Sequence, residues 1–252
     1  MKRSHFLAST AALAGTSLFA YGEGESAMAS TGTNIVLVHG AWSDGSGWAK
    51  VIPILQGAGH NVVAVQNQMT SLAADVANTR AVIDSMQGPT IVAGHSYGGA
   101  VITSAAHGAA SVKGLVYVAA FAPDEGEALG GFPPGAGAKF IAPGPSGLLY
   151  VDRAHFASCF AGDLPAAEAH VLASVQRPVG GAIFGDKMGA PAWKTIKSWY
   201  QVSEDDQMIP PDTERMMAGR ANAKTISLKS SHASLVSHPK DVAELILEAA
   251  RS

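Results

Sequence analysis

The pentapeptide Gly-His-Ser-Tyr-Gly, residues 94 to 98, is the first pattern in this chain whose residue types and spacing suggest chemistry. It follows an apolar run, residues 90 to 93, and precedes a small-residue stretch that can continue as a helix. At a sharp strand-to-helix turn the serine takes a strained backbone conformation, and side chains two positions away would collide with neighbouring elements. Glycine at both flanking positions removes that collision. The pattern therefore predicts that Ser96 is a nucleophile, although 28 glycines make a chance match common enough that other parts must agree.

A serine hydroxyl is a weak nucleophile at neutral pH, so the chain must also supply a base and a carboxylate that orients it. In an open parallel sheet such groups follow the carboxyl ends of strands. Of the nine histidines, His232 follows the last predicted strand, and the alternative His238 lies beside a proline at a helix start. We favour His232, because the position of His238 suits a surface cap.

The acid is predicted in the loop at residues 204 to 206, which follows the preceding strand. Serine, acid and histidine then occur in the chain order expected of a strand-to-helix nucleophile. Asp206 stands three residues before an aliphatic residue and a proline, a common arrangement for such an acid. Asp206 is therefore favoured over its neighbour Asp205, which is interpreted as a solvated carboxylate.

Backbone N–H groups must meet the negative oxygen of a tetrahedral intermediate. One predicted donor is Tyr97, directly after the nucleophile, where the helix dipole adds to the effect. The second is Ala41, in the loop that follows the first strand. Together these two amides form a predicted oxyanion hole.

The elements that must position these groups alternate from residue 34 onward. Near-continuous apolar strands separated by helices predict an α/β fold, with a mostly parallel sheet of about six strands and helices on both faces. The helix over residues 71 to 86 is expected to turn Asp75, Arg80 and Asp84 toward solvent. The predicted elements are strands at 34–39, 61–65, 90–96, 114–120, 195–202 and 224–228, and helices at 47–56, 71–86, 98–106, 165–176, 211–221 and 239–250.

The alternation breaks down between residues 123 and 192, a stretch rich in proline and glycine. Long irregular insertions are usually functional, so this segment is interpreted as a small cap over the site. Its large apolar side chains suit an apolar acyl or alcohol group, although most are expected to form the core of the cap. These side chains are Phe132, Phe140, Leu148, Leu149, Phe156, Phe160 and Trp193. The predicted substrate-binding residues are Trp42, Phe121, Phe156, Trp193 and Met208.

Composition excludes several classes of function. The formal net charge is −3 and the basic residues are scattered, so no basic stripe for nucleic acid is present. A single cysteine, Cys159, can form neither an internal disulfide nor a cysteine-based zinc site. We expect no metal and no cofactor, a small-molecule ester as substrate, no nucleic-acid partner and no stable membrane anchor; the oligomeric state is left open.

The first residues have a different character. Lys2 and Arg3 precede an uncharged stretch, and Ala27-Met28-Ala29 fits a cleavage site, so residues 1 to 29 are predicted to be a signal peptide. The alternative is an N-terminal extension without that role. The apolar stretch is too short for a membrane anchor. We therefore expect one domain, residues 30 to 252, in a periplasmic or secreted protein, or a cytoplasmic one if no leader is cleaved.

Taken together, these motifs resemble the α/β-hydrolase superfamily. The similarity is to its small-cap branch, which contains bacterial carboxylesterases and pyrethroid hydrolases, plant methyl-ester esterases and hydroxynitrile lyases. It spans about residues 33 to 251, with the cap weakly matched. The segments that carry it are Leu37-Val38-His39-Gly40-Ala41-Trp42, Gly47-Trp48, residues 94 to 99, Asp206-Gln207-Met208-Ile209-Pro210 and Ser231-His232-Ala233.

The resemblance implies a cofactor-free serine carboxylic ester hydrolase that acts on short to medium apolar esters through an acyl-enzyme. The lyases of this branch carry threonine and lysine where this chain has Gly40 and Ala233, so the esterase pattern is favoured. The alternatives are a hydroxynitrile lyase, a thioesterase or lactonase, a perhydrolase, or a ligand-binding member with slow turnover.

Overall fold

A computed structural model describes residues 32 to 252 of the chain; the predicted signal peptide lies outside these residues. The strands are β1 (Asn34–Val38), β2 (Asn61–Val65), β3 (Thr90–His95), β4 (Val112–Val118), β5 (Ile141–Pro143), β6 (Leu149–Val151), β7 (Ser198–Ser203) and β8 (Lys224–Leu228). The helices are α1 (Ile52–Gly57), α2 (Leu72–Ser85), α3 (Tyr97–Ala105), α4 (Phe156–Phe160), α5 (Ala166–Val175), α6 (Ala182–Gly185), α7 (Pro211–Arg220), α8 (Ser234–Ser237) and α9 (Pro239–Ala250).

Six of the strands form one sheet in the order β2-β1-β3-β4-β7-β8. Every neighbouring pair in this sheet is parallel. All residues of β1, β3 and β7 are buried, as expected of strands that helices cover on both faces. The predicted α/β architecture is confirmed, and the sheet is wholly rather than mostly parallel.

The order of the strands locates the site. The chain runs from β1 outward to β2 and then returns past β1 to β3, so it reverses direction between β1 and β3. Right-handed crossovers place α1 on one face of the sheet and α2, α3 and α7 on the other, and α9 packs beside α1 against β3, β4 and β7. Ligands of such sheets bind beyond the carboxyl ends of the strands at this reversal.

Two predicted boundaries differ from the structure by three residues or more. The helix predicted over residues 47 to 56 is a 3-10 turn, Gly45–Trp48, followed by α1, which begins only at Ile52 with Pro53 in its first turn. The strand predicted from residue 195 begins at Ser198, because residues 192 to 194 form another 3-10 turn. Proline fixes a helix start that the apolar pattern alone does not show.

The segment between β4 and β7 forms a small layer of its own. It contains the antiparallel pair β5–β6 and the short helices α4, α5 and α6. It contacts the loop after β1, where Trp42 Nε1 donates to the Leu149 carbonyl at 3.1 Å. It also contacts the loop after β8, where Ala233 N donates to the Phe160 carbonyl at 3.0 Å. The segment therefore touches both loops that carry predicted site residues.

Within residues 32 to 252, no helix combines the length and the apolar character that a membrane crossing requires. The same part of the chain contains no group of three or more histidine, cysteine, aspartate or glutamate side chains arranged to hold a metal ion.

Candidate active site

Ser96 lies at the junction of β3 and α3, in a backbone conformation that only a rigid surrounding can hold. Its φ is 52° and its ψ is −123°, and a positive φ is uncommon for a residue with a side chain. A Cβ added at Gly94 would lie 2.5 Å from the Gly98 carbonyl oxygen, and one added at Gly98 would lie 2.5 Å from the Val38 carbonyl oxygen. The two glycines therefore allow the tight turn that presents Ser96 beyond the sheet.

His232 and Asp206 form a fully buried contact beyond the ends of β8 and β7. Their side chains have no solvent exposure, and His232 Nδ1 lies 2.6 Å from Asp206 Oδ2. The other carboxylate oxygen, Oδ1, accepts from the backbone N–H groups of Met208 at 2.6 Å and Ile209 at 2.9 Å. The Asp-Gln-Met-Ile-Pro turn thus returns its own amides to the acid and fixes the carboxylate toward His232.

The pKa of Asp206 reflects these contacts. Burial alone raises the pKa of a carboxyl group, but the adjacent His232 and the hydrogen bonds to Asp206 outweigh it and hold the pKa below the ordinary value. Asp206 is therefore an anion at neutral pH. By contrast Asp205, the alternative acid, is exposed to solvent.

The opposite nitrogen of His232, Nε2, is buried and has no hydrogen-bond partner among the described residues. With Nδ1–H held by Asp206, Nε2 carries a lone pair, which is the state a general base needs. The ring packs against that of Phe160 in a perpendicular contact, at 4.7 Å between centroids. The orientation of this imidazole is thus set by Asp206 and by Phe160.

His95, the residue before Ser96, joins the two halves of the site. His95 Nε2 donates to the backbone carbonyl of His232 at 2.9 Å, and the two rings lie 4.8 Å apart. Complete burial, followed by the neighbouring His232, lowers the pKa of His95 to about 3. His95 is therefore neutral and holds the His232 loop against the turn that carries Ser96.

The predicted oxyanion donors follow two adjacent strands, β1 and β3. Tyr97 is the first residue of α3, and Ala41 follows β1, which pairs with β3 in parallel. His39 shapes the Ala41 loop, since its Nδ1 donates to the Gly40 carbonyl at 3.0 Å and its Nε2 accepts from Asn67 N at 3.1 Å. Burial lowers the pKa of His39 as well, so this ring is neutral and can serve as both donor and acceptor.

The position of Asp75 contradicts the expectation that it faces solvent. Asp75 is 1% exposed, and it accepts from the backbone N–H groups of Gln68 and Met69 at 3.0 Å each. Its second oxygen accepts from the Tyr97 hydroxyl at 2.8 Å. Burial and this carboxylate together raise the pKa of the Tyr97 phenol well above its ordinary range. Sequence periodicity missed this anchor, which ties the residue after Ser96 to α2.

Ser96 opens into a cavity of about 240 Å³ between the sheet and the inserted segment. Predicted residues Ala41, Trp42, Tyr97, Phe121 and Met208 line it, and no charged side chain of the described chain does. The ring of Trp42 stacks on Phe184 at 5.9 Å between centroids. Further lining residues, which sequence reasoning did not assign to the substrate site, include Leu129, Gly130, Phe132, Ile141, Phe184 and Ile209.

Two residues predicted to bind substrate do not line this cavity. Phe156 is buried and stacks on Phe160 at 5.0 Å, behind the ring of His232. Trp193 donates from Nε1 to the Pro123 carbonyl at 3.0 Å and lies under the Arg220 guanidinium. Phe156 and Trp193 therefore lie outside this cavity: Phe156 packs on Phe160, the ring that contacts His232, and Trp193 fixes the segment where it leaves the sheet.

Comparison with known proteins agrees with this arrangement. The family model described as the alpha/beta hydrolase family matches residues 35 to 245. This chain belongs to the α/β-hydrolase family. The predicted fold class and the predicted resemblance are both confirmed, and the similarities below support a hydrolase activity.

Three similar proteins are informative. A carbendazim-hydrolyzing esterase from Nocardioides sp. (strain SG-4G) is 32% identical over 126 residues, 43% of this α/β-hydrolase and 52% of that esterase. The chain thus spans about half the length of this curated relative. The solved structure of a pyrethroid hydrolase from Sphingobium faniae JZ-2 has a TM-score of 0.74 and 25% identity, and covers 87% of this chain and 98% of that one.

An extracellular α/β-hydrolase from a Paenibacillus species has a TM-score of 0.72 and 21% identity. The match covers 87% of this chain and 100% of that one. At this level of identity the similarity shows the shared fold alone.

Proposed function

We propose that this α/β-hydrolase is a serine carboxylic ester hydrolase that acts on short to medium, apolar, uncharged esters through an acyl-enzyme. The observation that carries the proposal is the buried His232–Asp206 pair, whose Nε2 has no hydrogen-bond partner among the described residues, together with a strained serine that opens into an apolar cavity. A base that an anionic carboxylate orients is what a serine hydroxyl needs to attack a carbonyl.

In the proposed reaction Ser96 Oγ attacks the ester carbonyl carbon while His232 Nε2 takes the hydroxyl proton. Asp206 holds Nδ1–H and stabilises the imidazolium that forms. The N–H groups of Tyr97 and Ala41 meet the oxygen that becomes negative. His232 then protonates the departing alcohol, and the acyl group stays on Ser96. Water, deprotonated by His232, then attacks the acyl carbon; the bond from that carbon to Ser96 Oγ breaks, His232 returns the proton to Oγ, and the acid is released.

The substrate class follows from the cavity. Moving an ionised group into a site without a counter-charge costs several kcal/mol, and no charged side chain of the described residues lines this cavity. Aromatic and aliphatic walls, including Phe121, Phe132 and Leu129, suit an apolar acyl or alcohol group. Its volume of about 240 Å³ favours short or medium groups over long acyl chains.

The test uses p-nitrophenyl butyrate and its hemisuccinate analogue, which differ chiefly in one carboxylate. We expect turnover of the butyrate, a much lower kcat/KM for the charged ester, and a loss of about a thousandfold or more in kcat for Ser96→Ala. The matched control is Ser174→Ala, an exposed serine on α5 that should change nothing. Retained activity in Ser96→Ala would refute the mechanism.

The same preparation separates the alternative functions. Cyanohydrin cleavage, thioester or lactone hydrolysis, or peroxide-dependent acyl transfer faster than ester hydrolysis would identify a different reaction at this site. Tight saturable binding without turnover of any ester would identify a binding protein. Export also remains a proposal: N-terminal sequencing of the mature protein should find a start after Ala29, and an intact Met1 would exclude cleavage there.

A further inference from the structure

The proposed mechanism leaves one buried acid without a role. Glu214 lies in the first turn of α7, and its side chain has no solvent exposure. It takes part in none of the ion pairs of the described residues. Its neighbour Arg215 instead points outward to Glu204 and Asp212. A carboxylate buried without a cation is costly, so the protonation state of Glu214 needs an explanation.

The hydrogen bonds of Glu214 are incomplete for an anion. Glu214 Oε2 accepts from the backbone N–H of Ser203, the last residue of β7, at 3.0 Å. Glu214 Oε1 is buried, and no donor among the described residues reaches it. The neighbouring acid is Asp206: the two carboxyl groups lie close enough that Glu214 helps to lower the pKa of Asp206 and Asp206 raises the pKa of Glu214. Two ionised carboxylates offer only lone pairs to each other, so such a contact requires a proton.

We propose that Glu214 is a neutral carboxylic acid whose O–H donates to the Asp206 carboxylate, and that it is a positioning residue for the Asp206–His232 pair. The expected effect of Glu214 on activity rests on the proposed function, whereas its protonation state does not. The proton satisfies the orphaned Oε1 and leaves the charge of the pair on Asp206. Asp206 then receives donors from His232, Met208, Ile209 and Glu214, about the number that one carboxylate accepts.

The surrounding groups favour this state. Burial and the adjacent Asp206 raise the pKa of Glu214 well above its ordinary value, and the smaller opposing effects of the Ser203 N–H hydrogen bond and of the exposed Arg215 do not cancel this. From β7, Tyr200 faces the same pocket, but its hydroxyl donates to the Ala120 carbonyl and cannot reach the acid pair with its proton. Hence Glu214 stays protonated while its neighbour is ionised, as when two carboxyl groups share a site.

The proton can be observed directly by infrared difference spectroscopy at neutral pH, comparing the wild type with Glu214→Gln. A protonated carboxyl group has a C=O stretching band separate from carboxylate bands, and it shifts in D₂O. We expect this band to disappear in Glu214→Gln. The matched control is Glu204→Gln. Glu204 directly follows β7 and pairs with Arg215, so its replacement should leave the band unchanged. A wild-type protein without the band would overturn the proposal.

Activity tests the positioning role. Glutamine retains both contacts, because its amide N–H₂ can donate to Asp206 and its carbonyl can accept from Ser203 N, so kcat should stay within about threefold of the wild type. Glu214→Leu loses both contacts. Since a hydrogen bond to a charged group is worth roughly tenfold or more in an equilibrium constant, we expect kcat to fall by about tenfold or more with KM unchanged.

The outcomes are separable. If Glu214 were ionised, Glu214→Gln would remove a negative charge and move the acid limb of the kcat/KM profile, which would contradict the proposal. An unchanged kcat in Glu214→Leu would refute the positioning role. If the leucine variant does not fold, the infrared band and the pH profile of Glu214→Gln still decide. The infrared band does not depend on turnover, so it can also be measured in the Ser96→Ala variant. The protonation state of Glu214 and the esterase proposal can therefore fail independently of each other.

Discussion

The substitution Gly40→Ala tests whether the site depends on the contact between the β1 loop and the serine turn. A Cβ at Gly40 would lie 2.7 Å from Ser96 Cβ and 3.0 Å from His95 Nδ1. Ordinary contacts begin near 3.4 Å, so the loop and the serine must separate by about 0.7 Å. Neither residue can move easily, because Ser96 is held at a positive φ and His95 is hydrogen-bonded to the His232 carbonyl.

The magnitude follows from that displacement. Misplacing reacting groups by about 1 Å costs roughly a hundredfold in rate, so a shift of about 0.7 Å predicts a loss of about 10- to 100-fold in kcat/KM. Overpacking of a rigid core costs about 1 to 3 kcal/mol. For a domain of this size each kcal/mol lowers Tm by about 2 to 4 °C.

The assay is p-nitrophenyl butyrate hydrolysis together with thermal unfolding. The matched control is Gly219→Ala on α7, where an added Cβ meets nothing within 4 Å. This control should keep full activity and gain about 0.4 to 1 kcal/mol, because alanine restricts the unfolded chain. If Gly40→Ala kept both the rate and the Tm of the wild type, the close approach would not constrain the site and the reasoning would fail.

Three further predictions follow from the same geometry. Asp206→Asn should lower kcat by about 10⁴-fold on the ester assay, because an amide has a single acceptor oxygen and cannot accept both from His232 Nδ1–H and from the Met208 and Ile209 amides. Asp205→Asn should stay within about twofold, and equal losses would contradict the assignment. Tyr97→Phe should lower the free energy of unfolding in urea by about 1.5 to 3 kcal/mol, because the phenol bonds a buried carboxylate; an unchanged midpoint and slope would refute this. The folded-state pKa of His95 lies below its unfolded value, so the free energy of unfolding decreases as pH falls below about 6.5 toward 3. On lowering the pH from 7 to 5, His95→Gln should therefore lose less of its free energy of unfolding than the wild type does. Equal losses in urea unfolding would disprove this.

Much of the fold could be predicted from the sequence, because local chemistry determines it. The strand that ends at Ser96 is a continuous apolar run, and two glycines mark its turn because backbone atoms pass within 2.5 Å of their missing Cβ positions. The choice of Asp206 rested on the turn that follows it, and that turn donates two amides to the carboxylate. Chain order then left only His232 or His238 as the base.

Other features depend on contacts between distant segments and leave no local pattern. Asp75 sits at a helix position that periodicity assigns to solvent, yet it is buried because the Tyr97 hydroxyl reaches it from α3. Phe156 and Trp193 are large apolar residues of the cap segment, and nothing local separates a cavity wall from core packing. From the sequence alone, Glu214 is an ordinary acid in the first turn of a helix, where the helix dipole favours an anion. Only the fold shows that its carboxyl group meets Asp206.

The charge distribution of the site depends on several buried groups that are neutral. Burial lowers the pKa values of His39 and His95, so neither ring adds a positive charge beside His232. With Glu214 protonated as proposed, no second negative charge stands beside Asp206. Attack by a serine creates an imidazolium, and in a buried site that charge is stabilised chiefly by its nearest counter-ion. The surrounding neutral groups therefore make Asp206 the principal charge that His232 meets, so this carboxylate stabilises the imidazolium that forms when His232 takes the proton.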